Sequence, residues 1–174
     1  GKMFRFGTDL VGRPVIYMNP AKENSKDYEK NLKLIVYTME AAVRSMPPNV
    51  EQLIWVVDFE GYSPKSAPPI SVAKEVLSIL SNHYPERLGF ALLLDAPKIF
   101  SLFYSAIKGF INSVTRKKVI FCNGKSEEKL KIVSKLFDLS STPTRLGGTH
   151  PFTYDHSSFW PQEVQEYEST VKNQ

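Results

Sequence analysis

Two charged residues of the sequence stand where they could bind a polar group of a ligand. Glu86 follows Tyr84 and Pro85 directly before an apolar run, and Lys118 directly precedes another apolar run. Charge-assisted hydrogen bonds are the strong ones in proteins, so Lys118 could bind a phosphate and Glu86 could accept hydrogen bonds from ligand hydroxyls. Thr115 adds a hydroxyl three residues before Lys118. The spacing equally allows Glu86 and Lys118 to pair with each other or to lie separately in solvent.

The residue types of catalytic sites are present, but their spacing is not that of a known catalytic motif. Asp58 and Asp95 each end an apolar run, where the active sites of open α/β sheets gather, yet acids at strand ends also cap turns. His150, Asp155 and His156 lie close in sequence without helical or hairpin spacing and predict no metal site. No phosphate-binding loop, nucleophile elbow or zinc-protease motif occurs. We therefore expect no enzymatic activity and no cofactor.

Length and composition are those of one globular domain. The chain has 174 residues, of which 42% are hydrophobic and 12% aromatic, and a domain of this size buries roughly 70% of its unfolded surface. Its single cysteine, Cys122, excludes an internal disulfide, suits a reducing compartment and is more typical of a packed thiol than of a nucleophile. No apolar run reaches the ~20 residues of a transmembrane helix. We expect a cytoplasmic monomer.

The net charge of +4 leaves two interpretations open. Basic residues could attract the chain to an anionic membrane surface, or they could be the ordinary charge balance of a soluble protein. Only Arg116, Lys117 and Lys118 form a basic run. Nucleic-acid binding is disfavoured, because the basic and aromatic surface motifs of the common modules do not occur.

Short apolar runs alternate with amphipathic helices along the chain. Strands are predicted at 13–18, 52–58, 90–95 and 119–122, where apolar residues are bounded by turn residues. Helices are predicted at 26–46, 71–82, 98–112 and 126–138 from apolar residues at steps of three or four, with Ser25 and Ser71 as N-caps. This alternation predicts an α/β domain with a parallel or mixed sheet. The tail after Pro143 has weak periodicity and is expected to be irregular.

The helix predicted at 98–112 has an unusually broad apolar surface. Its polar residues form one narrow stripe, consisting of Lys98, Ser101, Ser105, Lys108 and Asn112. The remaining arc is wider than the ~100° that a helix usually buries against a core. Such a helix could be wedged between the sheet and other helices, could line or gate an apolar cavity, or could dip into a membrane.

Short motifs spread over nearly the whole chain form one pattern. The main ones are His83-Tyr84-Pro85-Glu86-Arg87-Leu88-Gly89, Asp95-Ala96-Pro97, Ile107-Lys108-Gly109-Phe110-Ile111 and Val114-Thr115-Arg116-Lys117-Lys118-Val119. Gly12-Arg13-Pro14-Val15, Asp58-Phe59-Glu60-Gly61 and Leu146-Gly147-Gly148 extend the pattern. In these motifs and their spacing the sequence resembles the CRAL-TRIO lipid-binding family, and especially its yeast phosphatidylinositol/phosphatidylcholine transfer proteins.

The resemblance implies a mixed, mainly parallel sheet that floors an apolar lipid pocket and is covered by helices, with the 98–112 helix as a mobile gate. The implied gate and acyl-pocket residues are Phe100, Phe103, Ile107, Phe110 and Ile111. Phosphoinositide-binding members use the positions of Glu86, Thr115 and Lys118 for the inositol phosphate head group. Leu53 and Trp55 stand where phosphatidylcholine-binding members have hydroxyl residues.

The function implied by the resemblance is non-enzymatic binding of a phospholipid, with its transfer between membranes or presentation at them. Phosphatidylinositol is the expected ligand, and contact with membranes would be peripheral and transient. The alternatives are a carrier of another small lipophile, such as a retinoid, tocopherol or sterol, in which Glu86 and Lys118 only pair, and an interaction module without lipid exchange. A single domain is expected over 1–174, without a counterpart of the family's N-terminal helical lobe.

Overall fold

A five-stranded sheet forms the centre of the computed structural model, which describes residues 1–172. The strands are β1 (Met3–Thr8), β2 (Pro14–Met18), β3 (Leu53–Asp58), β4 (Leu88–Leu94) and β5 (Val119–Cys122). They lie side by side in chain order, β2 to β5 parallel and β1 antiparallel at the edge beside β2. The expected mixed, mainly parallel sheet is confirmed.

Helices cover both faces of this sheet. They are α1 (Tyr28–Arg44), α2 (Ile70–His83), α3 (Phe100–Ile107), α4 (Ser113–Lys117), α5 (Ser126–Val133) and α6 (His156–Lys172). The strand order never reverses between β2 and β5, and parallel crossovers are right-handed, so the connecting helices α1 to α4 belong on one face. After β5 the chain crosses to the other face, where α5 begins. None of the helices in the described part of the chain is both long and apolar enough to cross a membrane.

Two apolar cores stabilise the two faces. On the first face Ile16 and Leu53 pack with Ile35 and Met39 of α1. On the second face the neighbouring strand residues Ile54, Val56 and Leu92 pack with Val133 and Phe137. Because successive strand residues point to opposite sides, one apolar run supplies both cores.

Two helices begin at residues other than those predicted. The N-cap of α1 is Asp27, whose side chain accepts a hydrogen bond from the amide of Lys30 at 3.1 Å, while Ser25 accepts one from the amide of Asp27. Pro69 precedes the first residue of α2, so Ser71 lies inside the helix. Proline is tolerated at a helix start, where amide donors lack helical partners in any case.

The prediction of one continuous helix at 98–112 is wrong, because the segment forms two helices separated by a turn. α3 ends at Ile107, a 3-10 turn follows at Lys108–Phe110, and the Asn112 side chain then caps α4 by accepting from the amide of Thr115 at 2.7 Å. Gly109 disfavours helix by about 1 kcal/mol relative to Ala, and asparagine is a preferred N-cap. The helix predicted at 126–138 also ends early, at Val133, and continues as turns.

Two elements near the ends of the chain were not predicted, namely β1 and α6. The tail after Pro143 was expected to be irregular, yet it contains the 17-residue helix α6 with Pro161 inside it. A proline and weak periodicity concealed this helix. The Asp155 side chain accepts hydrogen bonds from the amides of Ser157 and Ser158 and so satisfies donors at the helix start.

The helix α6 packs against the edge strand β1. The Arg5 guanidinium donates to Glu163 at 3.0 Å and to Glu166 at 2.5 Å, and the ring centroid of Phe4 lies 6.0 Å from that of Phe159. Covering an edge strand protects its free backbone groups from pairing with another chain.

Candidate functional site

A cavity of about 760 Å³ lies between the sheet and the helices α1 to α3. Its floor consists of strand residues that share one face of the sheet, namely Leu53, Trp55, Val57, Ala91 and Leu93. Its side walls are apolar residues of α1 and α2, including Leu32, Ile35, Met39, Val72, Val76 and Leu80. The cavity is thus predominantly apolar, as expected for the pocket inferred from sequence.

One wall of the cavity is α3, which stands between the cavity and solvent. Its Phe100 ring packs against Phe59 with centroids 4.5 Å apart, and its Tyr104 ring lies edge-on to Phe121 at 5.9 Å. The outward Leu102 side chain is 71% exposed. This helix therefore has apolar side chains on both its inner and its outer surface, which accounts for the broad apolar arc in the sequence.

Four of the five residues expected at the gate and acyl pocket line this cavity. They are Phe100, Phe103, Ile107 and Ile111. Phe110 is not among the lining residues. It is half-exposed, and the ammonium of Lys74 lies 4.3 Å from its ring centroid. The 3-10 turn Lys108–Phe110 interrupts the helical phase, and the Phe110 side chain lies outside the cavity lining.

The three residues expected at the head group all line the same cavity. Lys118 Nζ donates to the Leu88 carbonyl oxygen at 2.8 Å and lies 3.3 Å from Glu86 Oε2. The Thr115 hydroxyl forms no hydrogen bond to residues 1–172, although the Thr115 amide donates to Asn112. Lys118 and Glu86 precede β5 and β4, so adjacent parallel strands bring side chains 32 residues apart to one end of the cavity.

Four tyrosines contribute to the cavity lining, and the hydroxyls of two of them, Tyr62 and Tyr84, are partly buried. Tyr84 donates to Glu40 Oε1 at 2.6 Å, and burial together with this hydrogen bond raises the pKa of Tyr84. Burial also raises the pKa of Tyr62. Both phenols therefore remain neutral at physiological pH. The contact with Glu40 was not anticipated, because it joins α1 to the end of α2 across 44 residues of sequence.

The two acids at the strand ends, Asp58 and Asp95, belong to a network of ion pairs. Arg145 donates to both oxygens of Asp58, at 2.8 and 3.0 Å, and to Asp95 at 3.1 Å. Lys129 Nζ lies 3.0 Å from both oxygens of Asp95. Partial burial opposes ionisation of Asp95, but hydrogen bonds from Lys129 and Arg145 outweigh it and lower its pKa. Asp58 also accepts from the amide of Glu60, in the turn-capping role left open by the sequence.

This network is structural in its geometry, and no local pattern in the sequence indicated Arg145 as its centre. Both acids are satisfied by cations, which ties the ends of β3 and β4 to the segment on the opposite face. Asp95 has a φ of +54° and precedes the segment that leads into α3. The network therefore anchors the beginning of the helix that covers the cavity.

The other residues considered for chemistry have structural surroundings. Among residues 1–172 no cluster of three or more His, Cys, Asp or Glu side chains could hold a metal ion. His156 Nδ1 lies 3.0 Å from the Tyr154 hydroxyl, while His150 packs beside Phe6. Cys122 is fully buried in the second core, as expected of a packed thiol.

Comparison with known sequences identifies proteins that are similar to this chain. Residues 1–148 match the family model described as CRAL/TRIO domain. A CRAL-TRIO domain-containing protein of Schizosaccharomyces pombe is 36% identical over 165 residues, covering 95% of this chain and 16% of that protein. The phosphatidylinositol transfer protein PDR17 of Saccharomyces cerevisiae is 30% identical over 175 residues, covering 95% of this chain and 47% of that protein.

A further relative and one solved structure are also similar to this chain. The SEC14 cytosolic factor of Yarrowia lipolytica is 31% identical over 156 residues, covering 81% of this chain and 31% of that protein. The crystal structure of Sfh5 superposes with a TM-score of 0.66 at 18% identity, over 95% of this chain and 65% of that one, and so shares the fold. The chain spans less than half the length of each of these three curated relatives. The match over residues 1–148 and these relatives show that the chain belongs to the CRAL/TRIO domain family.

Proposed function

We propose that this chain binds one phospholipid, phosphatidylinositol, in the cavity above the sheet and carries it between membranes or presents it there without making or breaking a bond. The observation that carries the proposal is the composition of the cavity. Apolar side chains from the helices α1 to α3 and from the strands of the sheet enclose it, and a cation, a carboxylate and a hydroxyl lie together at one end. This arrangement suits a molecule with long apolar chains and one anionic, hydroxyl-rich group.

The energetics of lipid transfer require such an enclosure. Each methylene moved from an apolar phase into water costs about 0.8 kcal/mol, so two acyl chains of ~16 carbons represent on the order of 25 kcal/mol. Acyl burial hardly distinguishes one phospholipid from another, so selectivity must come from the head group. Lys118 supplies a charge for the phosphate, and Glu86 and Thr115 supply partners for inositol hydroxyls. Lipid is the only bound group that this function requires.

We assign α3 the role of gate. It is short, it covers the cavity with Phe100, Phe103 and Ile107, and it packs mainly on α2. The outer surface of α3 and the residues directly before and after the helix expose Ile99, Leu102, Phe110 and Val114. These apolar residues are interspersed with exposed Lys98, Lys108, Arg116 and Lys117. A surface of this composition fits the interface of an anionic bilayer. There the insertion of apolar side chains and the attraction of basic residues to anionic lipids both contribute to the free energy of binding.

One observation favours a second candidate function, the carriage of a small neutral lipophile. Lys118 and Glu86 are 3.3 Å apart and already neutralise each other. If the pair stays closed when ligand binds, no charge is left for a phosphate, and the cavity would select an uncharged apolar molecule instead.

Lipid capture followed by mass spectrometry separates the two candidates. Purified protein is incubated with vesicles of phosphatidylcholine containing phosphatidylinositol and a sterol, re-isolated and extracted. The proposal predicts phosphatidylinositol in the extract at about one molecule per chain and enriched over its fraction in the vesicles. Sterol alone would support the second candidate, and an extract without lipid would contradict both.

A further inference from the structure

A second cavity, of about 390 Å³, lies on the other side of α1. It is bounded by β1, by α1 and by the beginning of α6. Successive faces of α1 line the two cavities, since Leu32, Ile35 and Met39 face the large one and Leu34, Tyr37 and Thr38 face the small one. The lipid-binding role proposed above makes no use of this second space.

A partly buried polar cluster lies between the two cavities. Lys2 Nζ donates to Glu23 Oε2 and to Asn31 Oδ1, each at 2.6 Å, and the Asn31 amide donates to Glu23 at 3.0 Å. Lys2 and Asn31 line both cavities. Each member of the cluster satisfies the others, so the cluster forms a polar partition that an acyl chain would not cross.

Aromatic rings form much of the wall of the small cavity. The ring of Trp160 lies 5.4 Å from that of Tyr37 and stacks on His156 at 6.0 Å. Tyr154 and Phe159 form a further pair with centroids 5.0 Å apart. Aromatic rings prefer offset-stacked or edge-to-face contacts with other rings, so such walls suit a planar ring.

The charged lining of the small cavity is predominantly cationic. Lys2, Arg5 and Lys22 line it, with Glu163 as the one carboxylate among the lining residues. Lys2 is paired with Glu23, and Arg5 with Glu163 and Glu166. Lys22, in contrast, has no carboxylate within 4.0 Å among residues 1–172. Arg5 Nε is buried and has no hydrogen-bond partner in the described part of the chain. A buried donor without an acceptor is destabilising, so a ligand with an anionic oxygen would be stabilised by accepting this hydrogen bond.

We propose that this second cavity binds a small aromatic anion, namely one planar ring system that carries a phosphate or a carboxylate. The rings of Trp160 and Tyr37 contact the ligand ring, and Lys22 and Arg5 contact its anionic group. The volume of about 390 Å³ lies near the lower end of the roughly 300–1,000 Å³ typical of ligand pockets, which excludes a diacyl lipid.

The two tryptophans of the chain provide independent reporters for the two cavities. Trp55 lines the large cavity and Trp160 the small one, and the sequence contains no other tryptophan. Their indole N–H signals in the two-dimensional ¹H–¹⁵N spectrum are assigned with the variants Trp55→Phe and Trp160→Phe. Phenyl phosphate is then titrated into the ¹⁵N-labelled chain.

We expect the Trp160 signal to shift and saturate with a Kd of about 1 mM or tighter, while the Trp55 signal stays in place. Benzyl alcohol and inorganic phosphate, which each supply only one half of the ligand, should bind at least about fivefold more weakly. Lys22→Gln should weaken phenyl phosphate binding about fivefold. Lys30→Gln, which removes an exposed lysine of α1 outside the cavity, should leave binding unchanged.

Several results would overturn the proposal. A shift of Trp55 alone would place the aromatic anion in the large cavity, and the absence of any shift would show that neither cavity binds it. Equal binding of inorganic phosphate would remove the role of the rings, and equal binding to Lys22→Gln and Lys30→Gln would remove the role of Lys22. None of these results bears on lipid capture, which depends on the other cavity.

Discussion

Lys118 Nζ lies 3.3 Å from Glu86 Oε2 and 2.8 Å from the carbonyl oxygen of Leu88. The two charged side chains differ greatly in exposure, with 20% for Lys118 and 77% for Glu86. The backbone contact holds the ammonium at the end of the cavity whether or not the carboxylate stays paired. Because Glu86 is mostly solvated, a ligand can displace it at little cost, and an exposed ion pair of this kind is worth only about 0–1 kcal/mol.

Lys118→Ala tests whether this ammonium binds a phosphate. We expect phosphatidylinositol transfer between vesicles to fall by at least about tenfold, because a hydrogen bond to a charged group contributes about 1.5–3 kcal/mol. The fold should persist, since Glu86 remains in solvent. Lys131→Ala removes an exposed lysine of α5, which lies on the opposite face of the sheet and does not line the cavity, and should transfer normally. Equal transfer by both variants would reject the head-group role of Lys118.

Thr115→Val tests the hydroxyl at the same end of the cavity. The substitution keeps the volume and the β-branch, and the amide of residue 115 still donates to Asn112, so α4 keeps its cap. We expect phosphatidylinositol capture to weaken about three- to tenfold, the effect of one neutral hydrogen bond. Ser113→Ala, in the first turn of the same helix, is the matched control. Capture is measured by mass spectrometry of re-isolated protein, and an unchanged value for Thr115→Val would remove this residue from the site.

Leu102→Asp tests the outward surface of α3. The Leu102 side chain is 71% exposed, so the substitution should hardly change the free energy of unfolding. If Leu102 inserts into a bilayer, the substitution should weaken the free energy of membrane binding by about 1.5–3 kcal/mol. We expect co-sedimentation with anionic vesicles to fall about tenfold and the unfolding midpoint to stay the same. Ser101→Asp adds the same charge at the adjacent exposed position and controls for repulsion. If both variants lose binding equally, charge alone accounts for the effect and the apolar contact is not needed.

Arg145→Gln tests the network that anchors the beginning of α3. Removing the guanidinium leaves Asp58 and Asp95 without their shared cation. We expect the free energy of unfolding at pH 7 to fall by about 1–2 kcal/mol, because partial exposure of Arg145 to solvent weakens these ion pairs. Arg116→Gln, at an exposed position, should change it by less than about 0.5 kcal/mol. Denaturant titration of both variants measures the difference, and equal stabilities would show that the network contributes nothing.

The stability difference between wild type and Arg145→Gln should depend on pH. The pKa of Asp95 is lowered in the folded state, so its contribution is present above the unfolded-state value of about 3.9 and is lost as the pH falls through the lower folded value. The difference should therefore be constant near neutrality and shrink below about pH 4. A difference that grows on acidification would contradict the assigned pairing.

The alternation of apolar strands with amphipathic helices was enough to predict four of the five strands and the mixed α/β class. What local patterns missed has physical causes. β1 carries the charged residue Arg5 near its centre, and that residue becomes favourable only when α6 supplies Glu163 and Glu166. The break after Ile107 depends on Asn112, whose side chain caps a new helix in competition with continuation of α3. The spacing of apolar residues carries no information about which of the two is more stable. The resemblance implied Phe110 for the gate and acyl pocket, whereas after this break its side chain lies outside the cavity lining.

The amino-acid sequence was sufficient to identify the motifs of the family, the apolar strands and the residue types of the proposed head-group site. These are properties of short segments, and local propensity and spacing encode them. The three-dimensional fold was needed to show that Glu86 and Lys118 are in contact and that Arg145 joins the two strand-end acids. It was also needed to show that α1 separates a large apolar cavity from a small one lined by aromatic and basic residues. Those relationships join residues far apart in the chain, and they depend on the strand order, the hand of the crossovers and the docking of α6.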